Sequence, residues 1–248
     1  MNIPGLLHST FICLALLILG SSDSCTTLSD KNEAVINKII KVQSPFIPDS
    51  VTQLILVYNE KPEDPQAKLF ILEKDNDEWN IVQGPVPAGI GENGFAAPGE
   101  KVEGDGKTPS GMFRLGHLFT YEVKVDTKMV YSQSTSEDKW IDDPESTDYN
   151  RHVRGETTAK SHENLKLKSD HYKYCMVIEY NTDPVVKGKG SAIFFHLRDS
   201  DKETTAGCIA ISEVEMLRIL KWLDPETHPM ILMGNFDELI KGDFHPAK

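Results

Sequence analysis

The spacing of apolar and polar positions changes several times along the chain. In residues 30–43, Val35, Ile36, Ile39 and Ile40 recur at helical spacing and make one apolar stripe. Asp30 with Glu33 has the form of a capping box at its start. Pro45 and Pro48 stop it. From Val51 the period shortens. QLILVYN (53–59), KLFILEK (68–74) and EWNIVQG (78–84) are rich in β-branched and aromatic residues and are separated by charged or Pro-containing turns, which predicts a β-meander. Residues 85–116 are rich in Gly and Pro, yet Phe95, Met112, Phe113 and Leu115 are interleaved. A flexible linker needs no such anchors, so the stretch predicts a long structured loop running into a strand. Residues 120–170 are polar and irregular, with Trp140 and Tyr149 as anchors. Strand signals return at 172–181 and 191–197, on either side of Pro184 and the turn-like KGKG of 187–190. Ser212 with Glu215 opens a helix whose apolar face reads Val214, Leu217, Leu220 and Leu223, and Asp224-Pro225 ends it. PMILMGN (229–235) reads as a last strand. The sum is a mainly β domain with a few helices.

The first thirty residues follow a different rule. FICLALLIL (11–19) is apolar and is followed by small and polar residues to Ser24. That is the layout of a secretory signal, too short to span a bilayer. We read residues 1–24 as a signal peptide, 25–49 as an N-terminal helical segment and 50–240 as the main domain. The implied location is outside the cytoplasm, in the periplasm or cell envelope. Cys25 stands where a lipid-modified cysteine could, but Ser22-Asp23-Ser24 is a poor lipobox. The 248 residues include 39% apolar and 26% charged positions, enough for one core. A net charge of −12 argues against nucleic acid and against an anionic membrane surface as partner. The four cysteines, Cys13, Cys25, Cys175 and Cys208, form no CxxC pair, so neither a zinc ribbon nor a disulfide framework is indicated.

The chemistry concentrates in SAIFFHLRDSDKETTAGCIAIS, residues 191–212. A strand ends in His196, a polar loop follows, and Thr205-Ala206-Gly207-Cys208 leads into a short apolar piece. A thiol attacks an amide when it is ionised or beside a base, and an imidazole is the usual partner. Gly207 lets the backbone approach a substrate and turn N–H groups towards an oxyanion. The residues alone leave a second reading open, in which Cys208 is a small core residue and His196 a strand-end histidine bound to backbone.

This stretch resembles the catalytic motif of the YkuD-type L,D-transpeptidases, which place a His upstream of [ST]-x-G-C. GDGKTPSGMFRLG (104–116) is similar to the family's D-G-[RK]-T-P-x-G-x-F segment, and KWIDDPESTDYN (139–150) to a Trp-Asp-Asp-Pro…Tyr-Asn segment of one branch. GSAIFFHL (190–197) and TAGCIAIS (205–212) resemble the same branch, in which the loop between His and Cys is short. Many members read S-H-G-C, where this chain has Ala206, and carry Arg or Asn after the Cys, where it has Ala210 and Ile211. The resemblance implies a β-sandwich or barrel-like fold over about residues 50–235, with no metal or cofactor. It implies Cys208 as the nucleophile that forms a thioester with a peptidoglycan stem peptide, His196 as base, backbone N–H groups at Gly207 and Cys208 as the oxyanion hole, and Thr205 lining the site. The acceptor would be an amine of a peptide, a protein or an amino acid, and carbapenem-type inhibitors would acylate the same thiol.

Other residues keep two readings. Trp140, Asp142, Asp143, Tyr149 and Asn150 either contact the donor peptide or form a loop anchored by Trp140. Arg198 either binds a substrate carboxylate or pairs with Asp199 or Asp201. The basic stretch within 151–173 either attracts acidic wall peptides or is a solvated face. Hydrolysis by the same residues, as an L,D-carboxypeptidase or amidase, and non-catalytic peptidoglycan binding are the rival functions.

Overall fold

The computed structural model describes Met1 and residues 27–242, so the expected signal peptide and Cys25 lie outside the described residues. In chain order the elements are α1 (Leu28–Gln43), β1 (Gln53–Asn59), β2 (Gln66–Asp75), β3 (Glu78–Gly89), β4 (Gly111–Thr120), β5 (Tyr131–Gln133), β6 (Asp138–Ile141), β7 (His152–Arg154), β8 (His162–Asn164), β9 (Tyr174–Ile178), β10 (Phe194–Leu197), β11 (Ile209–Ile211), α2 (Glu213–Trp222), β12 (Met230–Asn235) and α3 (Phe236–Leu239). The large sheet runs β12-β1-β2-β3-β11-β10-β9-β4-β5. A further pairing of β12 with β4 closes eight of these strands into a barrel and leaves β5 on its flank. Closure removes the open edges that a sheet this size would otherwise present. β7-β6-β8 form a separate small sheet.

Strand alternation sorts the side chains into three clusters. Ile55, Val57, Leu69, Ile71, Phe195, Ile209 and Ile231 point into the barrel, where α2 adds Met216, Ile219 and Leu220. Leu54, Leu56, Tyr58, Phe70 and Leu232 point outwards and are covered by Ile36, Ile39 and Ile40 of α1 and Leu239 of α3. β1 is therefore buried at every position, which is why it reads as an unbroken apolar run rather than an alternating one. On another outer face, Phe119, Cys175, Val177, Phe194 and Cys208 meet Trp140, Leu165 and Tyr172, so the small sheet forms a roof there. No described helix is long and apolar enough to cross a membrane.

Several details differ from the expectation. The capping box of α1 is made by Thr27 and Asp30, not Asp30 and Glu33, because Thr27 is the residue with extended backbone whose hydroxyl reaches the Asp30 N–H. β3 runs on through Pro85 and Pro87 to Gly89 instead of stopping at residue 84. The irregular stretch of 120–170 holds four short strands. Ser212 caps α2 and Leu220 and Leu223 are buried as expected, but they are joined by Met216 and Ile219 and not by Val214 and Leu217. Val214 and Leu217 are 60% and 41% exposed. A stripe drawn through every third residue drifts around a helix of 3.6 residues per turn. Ile219→Ala is accordingly expected to cost about 2–5 kcal/mol in urea unfolding, and Leu217→Ala within about 1 kcal/mol. The reverse order would contradict this placement of α2.

Candidate active site

β10 and β11 pair in parallel, with Phe195 opposite Ile209 and His196 opposite Ala210. Side chains alternate along a strand, so Phe195, Leu197, Ile209 and Ile211 fill the barrel while Phe194, His196 and Cys208 turn to the roofed outer face. Cys208 comes level with Phe194, whose N–H donates to Sγ at 3.3 Å. His196 stands one diagonal step away along the same face. The turn that delivers Cys208 is clamped from both sides. Thr205 Oγ1 donates to the Cys208 carbonyl at 2.7 Å and accepts the Gly207 N–H at 3.1 Å. Thr205 N–H donates to the Ile90 carbonyl and Glu92 N–H to the Thr205 carbonyl, tying the turn to the 90–110 loop. Gly207 has φ +150°, and a Cβ there would stand 2.9 Å from the Lys107 carbonyl oxygen, so only glycine lets the two segments cross.

His196 and Cys208 line one cleft of about 200 Å³ together with Lys101, Glu103, Asp142, Glu163, Tyr172 and the Ala206-Gly207 backbone. Each of the two is 8% exposed. Burial pushes the Cys208 thiol up to about 12, opposed by the Phe194 N–H, and holds His196 down to about 4, opposed by the Leu197 carbonyl. Both groups are therefore neutral near pH 7. The thiol donates to the Ala192 carbonyl at 3.3 Å. His196 Nδ1 lies 2.7 Å from the Leu197 carbonyl, which can only accept, so Nδ1 carries the proton and Nε2 holds the basic lone pair. Tyr172 packs its ring edge-on to His196 at 5.1 Å and to Phe194 at 5.7 Å, fixing the imidazole plane.

Three of the residues singled out as substrate-binding do not line the cleft. Arg198 is buried, donating to the Pro87 carbonyl at 2.7 Å, the Asp201 carbonyl at 3.0 Å and Asp201 Oδ1 at 3.1 Å. It staples the loop between His196 and Cys208 and has no guanidinium face to offer a ligand. Trp140 Nε1 donates to Asn150 Oδ1 at 2.8 Å. Asn150, at φ 57°, also accepts the Ala192 N–H at 3.0 Å and donates to the Tyr180 and Asn181 carbonyls at 3.0 and 2.7 Å. Its amide is fully used, and through Ala192 it places the carbonyl that holds the thiol. Thr205 does line the cleft, while its hydroxyl is spent on the turn before Cys208. The Gly207 N–H, expected to face an oxyanion, is bound by Thr205 Oγ1 instead. Tyr172, Glu163, Lys101 and Glu103 escaped the sequence reading. Tyr172 stood at the head of the strand signal of 172–181, and Glu163 carried no signal. His171, Asp199 and Glu203 bring ligand atoms within 4.8 Å of one another, but His171 Nε2 is already taken by Glu203 Oε1 at 2.6 Å.

Residues 63–232 match the YkuD family, the L,D-transpeptidase catalytic domain. The chain belongs to this family. No curated protein matches the sequence significantly. Among solved structures, this L,D-transpeptidase-family chain is similar to Bd1075 of Bdellovibrio bacteriovorus, with 15% identity, TM-score 0.41, and coverage of 77% of this chain and 54% of that one. It is similar to the helical cell shape determining protein Pgp2 of Campylobacter jejuni at 15% identity and TM-score 0.40, over 80% of this chain and 54% of that one. The L,D-transpeptidase-family chain thus spans about half the length of either structure.

The buried imidazole has a measurable consequence. Unfolded, His196 takes a proton near its ordinary 6.5, whereas folded it resists until about pH 4. The folded state binds fewer protons between those values, so stability is whole above pH 6.5 and falls as pH drops towards 4. Urea unfolding of the wild type should lose roughly 3 kcal/mol more between pH 7 and pH 4 than His196→Gln does. Equal losses would contradict a neutral, buried His196.

Proposed function

We propose that the chain is a cysteine acyltransferase that acts on peptidoglycan stem peptides through a Cys208 thioester. The observation that carries this reading is the placement of a buried thiol and a tautomerically fixed neutral imidazole on one cleft, set by the register of two parallel strands. Cys208 turns from the Ala192 carbonyl towards Nε2 as a peptide carbonyl enters. Nε2 takes the thiol proton while Sγ bonds to the carbonyl carbon, and the proton passes to the leaving amine as the C–N bond breaks. The Nδ1–H bond to the Leu197 carbonyl leaves Nε2 as the one basic site of the ring. The Cys208 N–H serves the oxyanion, since the Gly207 N–H is engaged by Thr205. A second amine resolves the thioester in transpeptidation, and water resolves it in carboxypeptidase or amidase action. An exported chain, with residues 1–24 as its signal, would meet this substrate in the cell envelope.

The reading is tested by intact mass. Incubation with a carbapenem, and separately with a tetrapeptide stem, is expected to add one acyl group on Cys208. Cys208→Ala should take up none, and His196→Ala should acylate about 100- to 10,000-fold more slowly. Absence of any adduct on the wild type, together with wall binding unchanged in Cys208→Ala, would replace the enzyme by a peptidoglycan-binding protein. Adding an amine acceptor to the peptide reaction separates transfer from hydrolysis by the mass of the released product.

A further inference from the structure

A second recess lies on the outside of the barrel, away from Cys208. It is a groove of about 530 Å³ between α1 and β3, larger than the cleft that holds Cys208. Its two walls differ in character. Ser29, Asn32, Glu33 and Asn37 recur at intervals of three and four along α1 and so project from one face of it into the groove. Trp79, Ile81 and Pro85 of β3 form the facing wall, with the buried Phe70 of β2 behind them. Trp79 is half-buried on the apolar cluster beneath α1. Asn32 is the residue that the fold leaves unserved. It is only 8% exposed, yet its carboxamide has no hydrogen-bond partner among the described residues. The other buried amide side chains, those of Gln43, Gln53, Asn59, Asn150 and Asn235, all donate to backbone carbonyls. A buried carboxamide without a partner is destabilising, and a ligand that offers it a donor and an acceptor relieves that cost.

We propose that this groove binds a neutral saccharide, namely the amino-sugar strand to which the stem peptides are attached. The lining carries one charged side chain, Glu33, and no Lys, Arg or His, so it has nothing to hold a phosphate or a carboxylate. Carboxamides and a hydroxyl both donate and accept, which is what sugar hydroxyls and N-acetyl groups require. Trp79 offers a flat apolar face to the C–H side of a sugar ring and an N–H at its edge for a hydroxyl. β3 joins the groove to the reaction site. Pro85 lines the groove, and Gly89, four residues or about 13 Å further along the strand, pairs with Ala210, two residues past Cys208. Val86 and Ala88 point into the barrel, so Pro85 and Pro87 face outwards, as Cys208 does. Recognition of the strand, which rests on the reading of peptidoglycan as substrate, lets one contact hold the polymer while Cys208 works on a peptide attached to it.

The probe is a soluble tetramer of N-acetylglucosamine, titrated calorimetrically into the full chain and into two variants. The wild type is expected to bind it, Trp79→Ala to bind about tenfold or more weakly, and Asn32→Ala about three- to tenfold more weakly. Asn32→Ala breaks no hydrogen bond within the described fold and should melt at the wild-type temperature, so the test survives a Trp79→Ala chain that does not fold. No binding by the wild type overturns the proposal, and so does binding that Asn32→Ala leaves unchanged. A free tetrapeptide stem is titrated beside the sugar. If the peptide alone binds, and Asn32→Ala weakens it, the groove holds peptide and the saccharide site fails. Carbapenem acylation of Cys208 is followed on the same samples. An adduct without sugar binding removes the saccharide site and leaves the enzyme reading intact. Sugar binding that weakens in the variants, with no adduct on the wild type, upholds the saccharide site on a chain that does not react through Cys208.

Discussion

The parallel pairing of β10 with β11 is the constraint from which the site follows. The pairing puts Phe195 and Ile209 into the barrel and thereby turns His196 and Cys208 outwards on a common face. Slipping the register by one residue would move one of the two into the core. A parallel pair needs a crossover rather than a tight hairpin, and here the crossover is the polar loop of 198–207. Arg198 pins that loop to the Pro87 carbonyl on β3, and Thr205 pins its far end to Ile90 just beyond β3. The strand neighbouring β11 in the sheet thus holds the connection that delivers the thiol.

The same arrangement explains the electrostatics. Packing the outer face against the small sheet buries both the thiol and the imidazole, and burial disfavours each charged form. The result is a thiol and an imidazole that rest neutral, with the thiol parked on the Ala192 carbonyl. Trp140, Asn150 and Ala192 form a chain of hydrogen bonds that ends at that carbonyl. The roof therefore does more than cover the site. It sets where the thiol points before substrate arrives, and it contributes Asp142 and Glu163 to the cleft wall, while Tyr172, just before β9, packs against the imidazole.

How much of this was legible in the sequence depended on the kind of signal. Long apolar strands such as β1 and β12 declare themselves, as does a Gly-Cys turn following a strand that ends in His. The short strands β6, β7 and β8 do not, because three or four residues carry too little periodicity and much of their surface is polar. The roles of Arg198, Trp140 and Asn150 were ambiguous for a related reason. A polar side chain that caps a backbone carbonyl and one that contacts a ligand look alike until the burial of its partners is known. Glu163 was invisible as a site residue because it stands far from the Gly-Cys turn in sequence and reaches the cleft only through the fold of the small sheet. Gly207 was singled out correctly as a special backbone position, but its necessity comes from the close crossing at Lys107, which no local pattern reveals.

The central claim is that the Cys208 thiol is not a preformed thiolate, and the pH dependence of Cys208 alkylation by iodoacetamide, followed by mass on the Cys208 peptide, tests it most directly. The account predicts a rate at pH 7 below that of free cysteine, rising about tenfold per pH unit through the alkaline range with no plateau before the fold is lost. A plateau reached at or below neutral pH would show a thiolate–imidazolium pair already formed in the resting protein and would contradict it.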